Sequence, residues 1–62
     1  MPNFSFDFRY TYGSPEQHNS HYDINAANEY EARMIAEERF ERTHEFAMCD
    51  AYRDSDGWHR YF

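Results

Sequence analysis

Residues 4–12 read FSFDFRYTY, in which five aromatic residues alternate with four polar ones. Successive side chains of a β-strand point to opposite faces, so this spacing predicts a strand with every ring on one side. The chain contains no leucine and no valine, and rings and alanines must therefore build most of its interior. We interpret this stretch as the floor of the hydrophobic core.

The residues after this strand predict a loop and then a helix. Gly13–Pro15 has turn chemistry, and the polar residues 16–22 predict a loop. Asp23 or Asn25 can cap a helix, because either side chain can accept a hydrogen bond from a first-turn amide. Good helix formers continue to about His44, which predicts a helix of about twenty residues.

One face of the predicted helix is apolar. Its residues recur at spacings of three and four, as expected for a helix that packs on a sheet. The small alanine side chains on this face leave room for bulky rings beneath them. The apolar face consists of Ala32, Ile35, Ala36 and Phe40, and Thr43 continues the line.

Residues 46–53, FAMCDAYR, fit two structures. As a strand they place Phe46, Met48 and Tyr52 on the core side, although Asp50 breaks the alternation. As a helix they continue the preceding one, since alanine and methionine favour that state. The strand is the favoured interpretation, because the residues that follow it resemble the second half of a hairpin.

That hairpin is indicated by the turn sequence DSDG at residues 54–57, followed by the aromatic run WHRYF at 58–62. The predicted order is strand-helix-strand-strand in a single small α+β domain over residues 1–62. It gives a three-stranded, mainly antiparallel sheet with one helix packed on one face. A right-handed crossover makes the first two strands parallel, and the last strand then lies between them.

The composition is acidic. The chain has twelve carboxylate side chains, six arginines and no lysine, which gives a formal charge of −6. This balance disfavours direct binding of nucleic acid or of anionic membranes, both of which need clustered positive charge. No stretch is long and apolar enough to span a bilayer. The favoured partner is a basic protein surface, while the alternative is that the charge serves solubility alone.

Carboxylates gather on the side of the predicted helix opposite its apolar face. Several are like-charged neighbours three or four residues apart, and each such pair costs a few tenths of a kcal/mol. We interpret this row as a binding surface that the following aspartates extend, with exposed Tyr30 and Tyr22 as aromatic anchors. The alternative is a solvated helix face. The predicted partner-binding residues are Glu31, Glu37, Glu38, Glu41, Glu45, Asp50, Asp54, Asp56 and Tyr30.

Histidine and cysteine form no specific motif. His18 and His21 are three residues apart in the predicted loop, and Cys49 is the one cysteine, whereas zinc sites usually combine two closely spaced ligand pairs. A single cysteine excludes an internal disulfide, and with no signal peptide recognised it predicts a reducing cytoplasm. Pairs such as His44 with Cys49, or His59 with Asp56, lack an orienting group. We therefore predict no catalysis, cofactor or metal.

In size, acidity and lack of targeting or catalytic motifs, the whole chain resembles the small phage-encoded inhibitors, among them the anti-CRISPR proteins. Several of these present acidic surfaces to the nucleic-acid channels of their targets. The resemblance implies a DNA-mimic inhibitor, acting in the host cytoplasm, that occludes the nucleic-acid-binding surface of a CRISPR effector or nuclease. Two alternatives remain: an assembly protein that forms a homodimer through its open sheet face, and a small metal-binding module.

Overall fold

The computed structural model describes residues 1–61, which form one antiparallel sheet of four strands with one helix on one of its faces. The sheet order is β2-β1-β3-β4. The predicted α+β class is confirmed, but the sheet has four strands rather than three. In chain order the elements are β1 (Asn3–Thr11), β2 (His18–Asn25), α1 (Glu29–Thr43), β3 (Met48–Asp54) and β4 (Gly57–Arg60).

The predicted aromatic floor of the core is confirmed. β1 lies in the middle of the sheet, and Phe6 and Phe8 are each 1% exposed on the side that carries α1. Tyr10 is buried beside them, Phe4 is partly buried, and Tyr12 is exposed beyond the end of the strand. The alternation therefore places the inner rings in the core and leaves the last one in solvent.

The polar loop predicted at residues 16–22 is wrong, because most of it belongs to β2. This strand returns antiparallel along β1 and pairs Tyr22 with Phe6 and Ile24 with Phe4. The connecting turn contains Gly13 at φ +92°, a conformation that glycine adopts without steric cost. Ile24 is buried in the core. Tyr22 and Ile24 are two residues apart and therefore lie on the core side of an extended strand, although the rest of the segment is polar.

The helix starts later than predicted, because the chain between residues 23 and 25 is still strand. Asn28 is the N-cap, and its side-chain oxygen accepts a hydrogen bond from the Glu31 amide at 2.8 Å. The helix has 15 residues rather than about twenty. It ends at Thr43, where the His44 amide donates to the carbonyl of Phe40 at 2.9 Å.

The predicted apolar face of the helix is confirmed in its main part. Ala32, Ala36 and Phe40 are buried, whereas Ile35 is only partly buried. The Phe40 ring lies 5.1 Å from the Phe8 ring. The two alanines let the helix approach the rings of β1 closely, as the complementary side-chain sizes suggest.

The strand interpretation of residues 46–53 is confirmed as β3, and the residue that broke the alternation is a β-bulge. Arg9 faces Ala51 and Tyr10 faces Cys49, so Asp50 has no partner on β1. The extra residue reverses which side chains face the core. The predicted inward positions of Met48 and Phe46 are therefore wrong: Met48 lies on the sheet face opposite Tyr52, and Phe46 precedes the strand at 81% exposure.

The predicted strand order is also wrong. β1 and β3 are antiparallel, and β4 lies at the sheet edge, paired with β3 only. The cause is β2: it returns the chain to the starting end of β1, so the helix begins there and delivers β3 antiparallel to β1. The predicted final strand is confirmed over Gly57–Arg60, and Phe62 lies outside the described residues.

Candidate functional site

The helix and the sheet present two different surfaces to solvent. The backbone of α1 lies closest to β1 and β2, and the helix reaches β3 through side chains such as Arg33, which donates to the Tyr52 hydroxyl at 2.7 Å. The face of the sheet opposite the helix is uncovered within residues 1–61. The outward side of α1 carries the predicted carboxylates. The two surfaces differ in how their charges are compensated.

Four aspartates of the sheet each contact a neighbouring arginine or histidine side chain. Asp7, which is almost buried, accepts a hydrogen bond from Arg53 Nε at 2.9 Å and faces His21 Nδ1 at 3.0 Å. Asp50 accepts two hydrogen bonds from the guanidinium of Arg9 at 3.1 and 3.2 Å. In the same way, Asp23 contacts His21 at 3.2 Å and Asp54 contacts His59 at 2.9 Å.

Most carboxylates on the outward side of the helix have no arginine or histidine partner. We call four glutamates on its outward side, together with Glu45 in the turn that follows the helix, the acidic helix surface: Glu31, Glu37, Glu38, Glu41 and Glu45. Among residues 1–61, Glu38 is the one member with an ion-pair partner, Arg42 at 2.7 Å. Glu37 accepts a hydrogen bond from the neutral hydroxyl of Tyr61. The structure thus concentrates uncompensated negative charge on one side of α1.

The spacing of these carboxylates can be compared with that of the phosphates in nucleic acid, which the sequence predicts that they imitate. Glu31 to Glu41 covers ten residues, or about 15 Å of helix axis at about 1.5 Å per residue. The average distance along the axis between these four carboxylates is about 5 Å, compared with about 3.4 Å per phosphate along one DNA strand. The row is thus somewhat sparser than a phosphate backbone, and comparable in sign and length to a short segment of it.

The three predicted aspartates do not extend this surface. Asp50 lies on the uncovered sheet face, bound to Arg9. Asp54 lies at the far end of β3, where its carboxylate accepts the Asp56 amide at 2.9 Å. Asp56 is exposed in the β3–β4 turn. The structure thus places the five glutamates on and just after α1, and it distributes the aspartates over other parts of the molecule.

The two predicted aromatic anchors differ in exposure. Tyr30 is exposed on α1, and its ring lies 5.7 Å from the Arg33 guanidinium. Tyr22 is not exposed as predicted, because its ring packs edge-on against Phe8 at 5.7 Å and its hydroxyl lies 3.4 Å from Thr43 Oγ1. Of these two tyrosines, Tyr30 is therefore the one available to a partner as an exposed ring.

The uncovered sheet face has a feature that sequence reasoning missed. The ring of Trp58, 45% exposed, lies between the guanidinium groups of Arg9 at 5.6 Å and Arg53 at 5.2 Å. Such contacts are each worth about 0.5–1 kcal/mol at exposed sites. Ala51 is buried on the same face. Finding this arrangement from sequence would require the β3 bulge, since the bulge sets the register of Arg9 against β3.

The contacts of His21 predict a pH-dependent contribution to stability. The hydrogen bond with Asp7 raises the pKa of His21 above 6.5; burial opposes this, and Asp23 reinforces it. The protonated ring is thus favoured in the folded state, so its contribution is complete below the unfolded pKa and is lost as pH rises through the folded pKa. We expect the free energy of unfolding to decline between about pH 6 and about pH 8.

Urea denaturation across this pH range checks the prediction, with His21→Gln expected to show a smaller decline than the wild type. His18→Gln is the matched control, since His18 lies on the same strand but stacks on Tyr10 at 5.4 Å. An unchanged decline in His21→Gln would show that the Asp7–His21 contact does not favour the charged ring.

The histidines and the cysteine do not form a common site. His18 and His21 are three apart on a strand and therefore point to opposite faces. No three histidine, cysteine, aspartate or glutamate side chains converge in a metal-binding arrangement within residues 1–61. His59 contacts Asp54 rather than Asp56. Burial raises the pKa of the Cys49 thiol, which favours its protonated and less nucleophilic form.

In the described part of the chain, no helix has the length and apolar character needed to cross a membrane. Comparison with known proteins finds no protein family, no curated protein and no solved structure that matches this chain.

Proposed function

We propose that this protein is a binding inhibitor whose acidic helix surface occupies the nucleic-acid-binding surface of a basic target protein, such as a CRISPR effector or a nuclease. One observation carries the proposal: every sheet aspartate has a side-chain partner, whereas Glu31, Glu41 and Glu45 have no arginine or histidine partner among residues 1–61. The partner is an arginine for Asp7 and Asp50 and a histidine for Asp23 and Asp54. Arginine and lysine of a partner would supply the missing countercharges.

Of the six arginines in the sequence, three bind groups outside the acidic helix surface. Arg9 and Arg53 bind sheet aspartates, and Arg33 donates to the Tyr52 hydroxyl at 2.7 Å. Like-charged neighbours on the helix such as Glu37 and Glu41 cost a few tenths of a kcal/mol in the free protein. Binding of a basic partner offsets that repulsion, and the attraction between its positive charges and the glutamates speeds association.

Charge reversal on α1 tests the proposal. The double variant Glu41→Arg/Glu45→Arg replaces two uncompensated carboxylates near the helix C-terminus, where cations are compatible with the helix dipole. We expect it to remain folded and to lose about a hundredfold in affinity for the target, because like charges across an interface cost several kcal/mol. The control Glu16→Arg/Asp56→Arg makes the same change of net charge at exposed turn positions.

The assay uses a nucleic-acid-binding protein captured on the immobilised wild type from a bacterial lysate and then purified. Wild type and the Glu16→Arg/Asp56→Arg control should displace a fluorescent DNA or RNA duplex from that protein, and Glu41→Arg/Glu45→Arg should not. Equal displacement by both double variants would overturn the proposal. A salt-insensitive homodimer in light scattering, with no displacement by the wild type, would favour assembly through the open sheet face instead.

A further inference from the structure

A groove of about 350 Å³ lies beside the second half of α1. It lies between the helix and the start of β3, because the helix backbone lies closest to β1 and β2. Its floor includes the buried ring of Phe40 and the partly buried side chains of Ala47 and Cys49. The volume falls within the range of about 300–1,000 Å³ that is typical of ligand sites.

The rim of this groove is negatively charged. Three members of the acidic helix surface, Glu37, Glu41 and Glu45, line it. On the opposite wall, the hydroxyl of Tyr61 donates a hydrogen bond to Glu37 at 2.5 Å. Burial is the main cause that raises the pKa of Tyr61, and this hydrogen bond is the second. Tyr61 thus stays a neutral hydrogen-bond donor, and the negative charge of the rim comes from the three glutamates.

An apolar floor below a carboxylate rim fits a side chain that has an apolar stem and a cationic end. Lysine and arginine both bury their methylene stems against apolar surface and keep the charge at its edge. Arginine matches this rim better, because its planar guanidinium forms paired hydrogen bonds with carboxylates and is less strongly hydrated than an ammonium group.

We propose that this groove binds an arginine side chain of the partner protein, with its stem on Phe40 and Cys49 and its guanidinium between Glu37 and Glu41. The inference rests on the proposed function, which supplies a basic partner, and it names the part of that partner that enters the groove. It also distinguishes the groove from the rest of the acidic helix surface, which attracts positive charge without a shaped pocket.

The test is an NMR titration of the whole protein with the tripeptide acetyl-Gly-Arg-Gly-amide. We expect its chemical-shift changes to centre on the amides of Ala47 and Cys49. The citrulline analogue, which is neutral and nearly the same shape, should bind at least fivefold more weakly. Cys49→Phe fills the groove without altering charge and should abolish these shift changes.

Two matched variants keep the result interpretable. Met48→Phe adds the same ring one residue earlier, on the opposite sheet face, and should leave the titration unchanged. Glu37→Gln/Glu41→Gln should weaken binding at least fivefold, whereas Glu31→Gln/Glu38→Gln removes equal charge outside the groove and should change it less than twofold. Wild-type binding by Cys49→Phe, equal binding of citrulline, or shifts centred on Glu31 and Glu38 would each overturn the proposal.

This experiment is independent of the nucleic-acid displacement assay. If the arginine tripeptide binds in the groove while the wild type displaces no nucleic acid, the proposed function fails and the groove site stands. If displacement depends on Glu41 and Glu45 but the tripeptide does not bind in the groove, the helix acts by surface charge alone and the groove inference fails.

Discussion

Phe8→Ala will leave most of the protein unfolded at room temperature. The Phe8 side chain is 1% exposed and packs between Tyr22 at 5.7 Å and Phe40 at 5.1 Å. Removing such a ring typically costs about 3–5 kcal/mol. A single core in a chain of this size rarely supplies more than about 3–5 kcal/mol of net stability, so this one substitution is comparable to the whole.

Circular dichroism during urea and thermal denaturation measures this effect, with Phe46→Ala as the matched control. Phe46 is the same residue type at 81% exposure, and its replacement should change the free energy of unfolding by no more than about 0.5 kcal/mol. Similar midpoints for wild type and Phe8→Ala would mean that the rings of β1 are not the floor of the core.

Asp7→Ala will destabilise the fold by about 2 kcal/mol, within the range of about 1.5–3 kcal/mol for a hydrogen bond to a charged group. The Asp7 carboxylate joins Arg53 on β3 to His21 on β2 across the central strand. Arg53 and His21 are about half exposed and regain water when Asp7 is removed, which keeps the loss below that of a fully buried ion pair.

The acid limb of the stability curve provides a second readout. Burial opposes ionisation of Asp7, but the hydrogen bonds from Arg53 and His21 outweigh it and lower the pKa of this carboxyl below 3.8. Its contribution is therefore present above that pH and is lost as pH falls through the lower folded-state pKa. Asp7→Ala should lose stability less steeply in acid than the wild type, as measured by urea denaturation.

Asp23→Ala is the control for this prediction, because Asp23 contacts His21 from an exposed position. We expect it to change stability much less than Asp7→Ala does, because ion pairs at exposed positions contribute little. Equal effects of Asp7→Ala and Asp23→Ala would show that the contacts across β1 contribute no more than surface pairs.

Local patterns in the sequence were sufficient for three elements of the fold. The alternating rings of residues 4–12 predicted β1, the spacing of Ala32, Ala36 and Phe40 predicted the buried face of α1, and residues 54–57 predicted the last turn. Each of these signals depends only on neighbouring residues. Gly57, with φ +109°, shows why such a turn is readable, since few other residues adopt that conformation readily.

β2 was not predicted because its polar composition obscures the two-residue alternation of a strand. Residues 18–25 read HNSHYDIN, and only Tyr22 and Ile24 mark the core side of an otherwise polar strand. The strand is extended because it pairs with β1 along its length, a long-range contact that local propensity does not reveal. Missing it shifted the predicted start of the helix and produced the incorrect strand order.

The candidate site was predictable where it follows helix geometry. The outward direction of the four glutamates within α1 follows from the apolar face on the other side of the helix. Glu45 was also predicted to lie on the helix, but it lies in the turn after Thr43. The pairing of Asp50 with Arg9 was not predictable, since it depends on the bulge in β3. The groove was also missed, because it depends on which strands the helix covers rather than on any motif.

The most direct test of the central claim is the affinity of this protein for its purified basic target across a series of salt concentrations. If uncompensated helix carboxylates carry the interaction, affinity should fall steeply with salt for the wild type and for Glu16→Arg/Asp56→Arg. Glu41→Arg/Glu45→Arg should bind about a hundredfold more weakly at low salt, with a clearly shallower dependence. Equal salt slopes and equal affinities for the two double variants would contradict the claim that binding resides on the acidic helix surface.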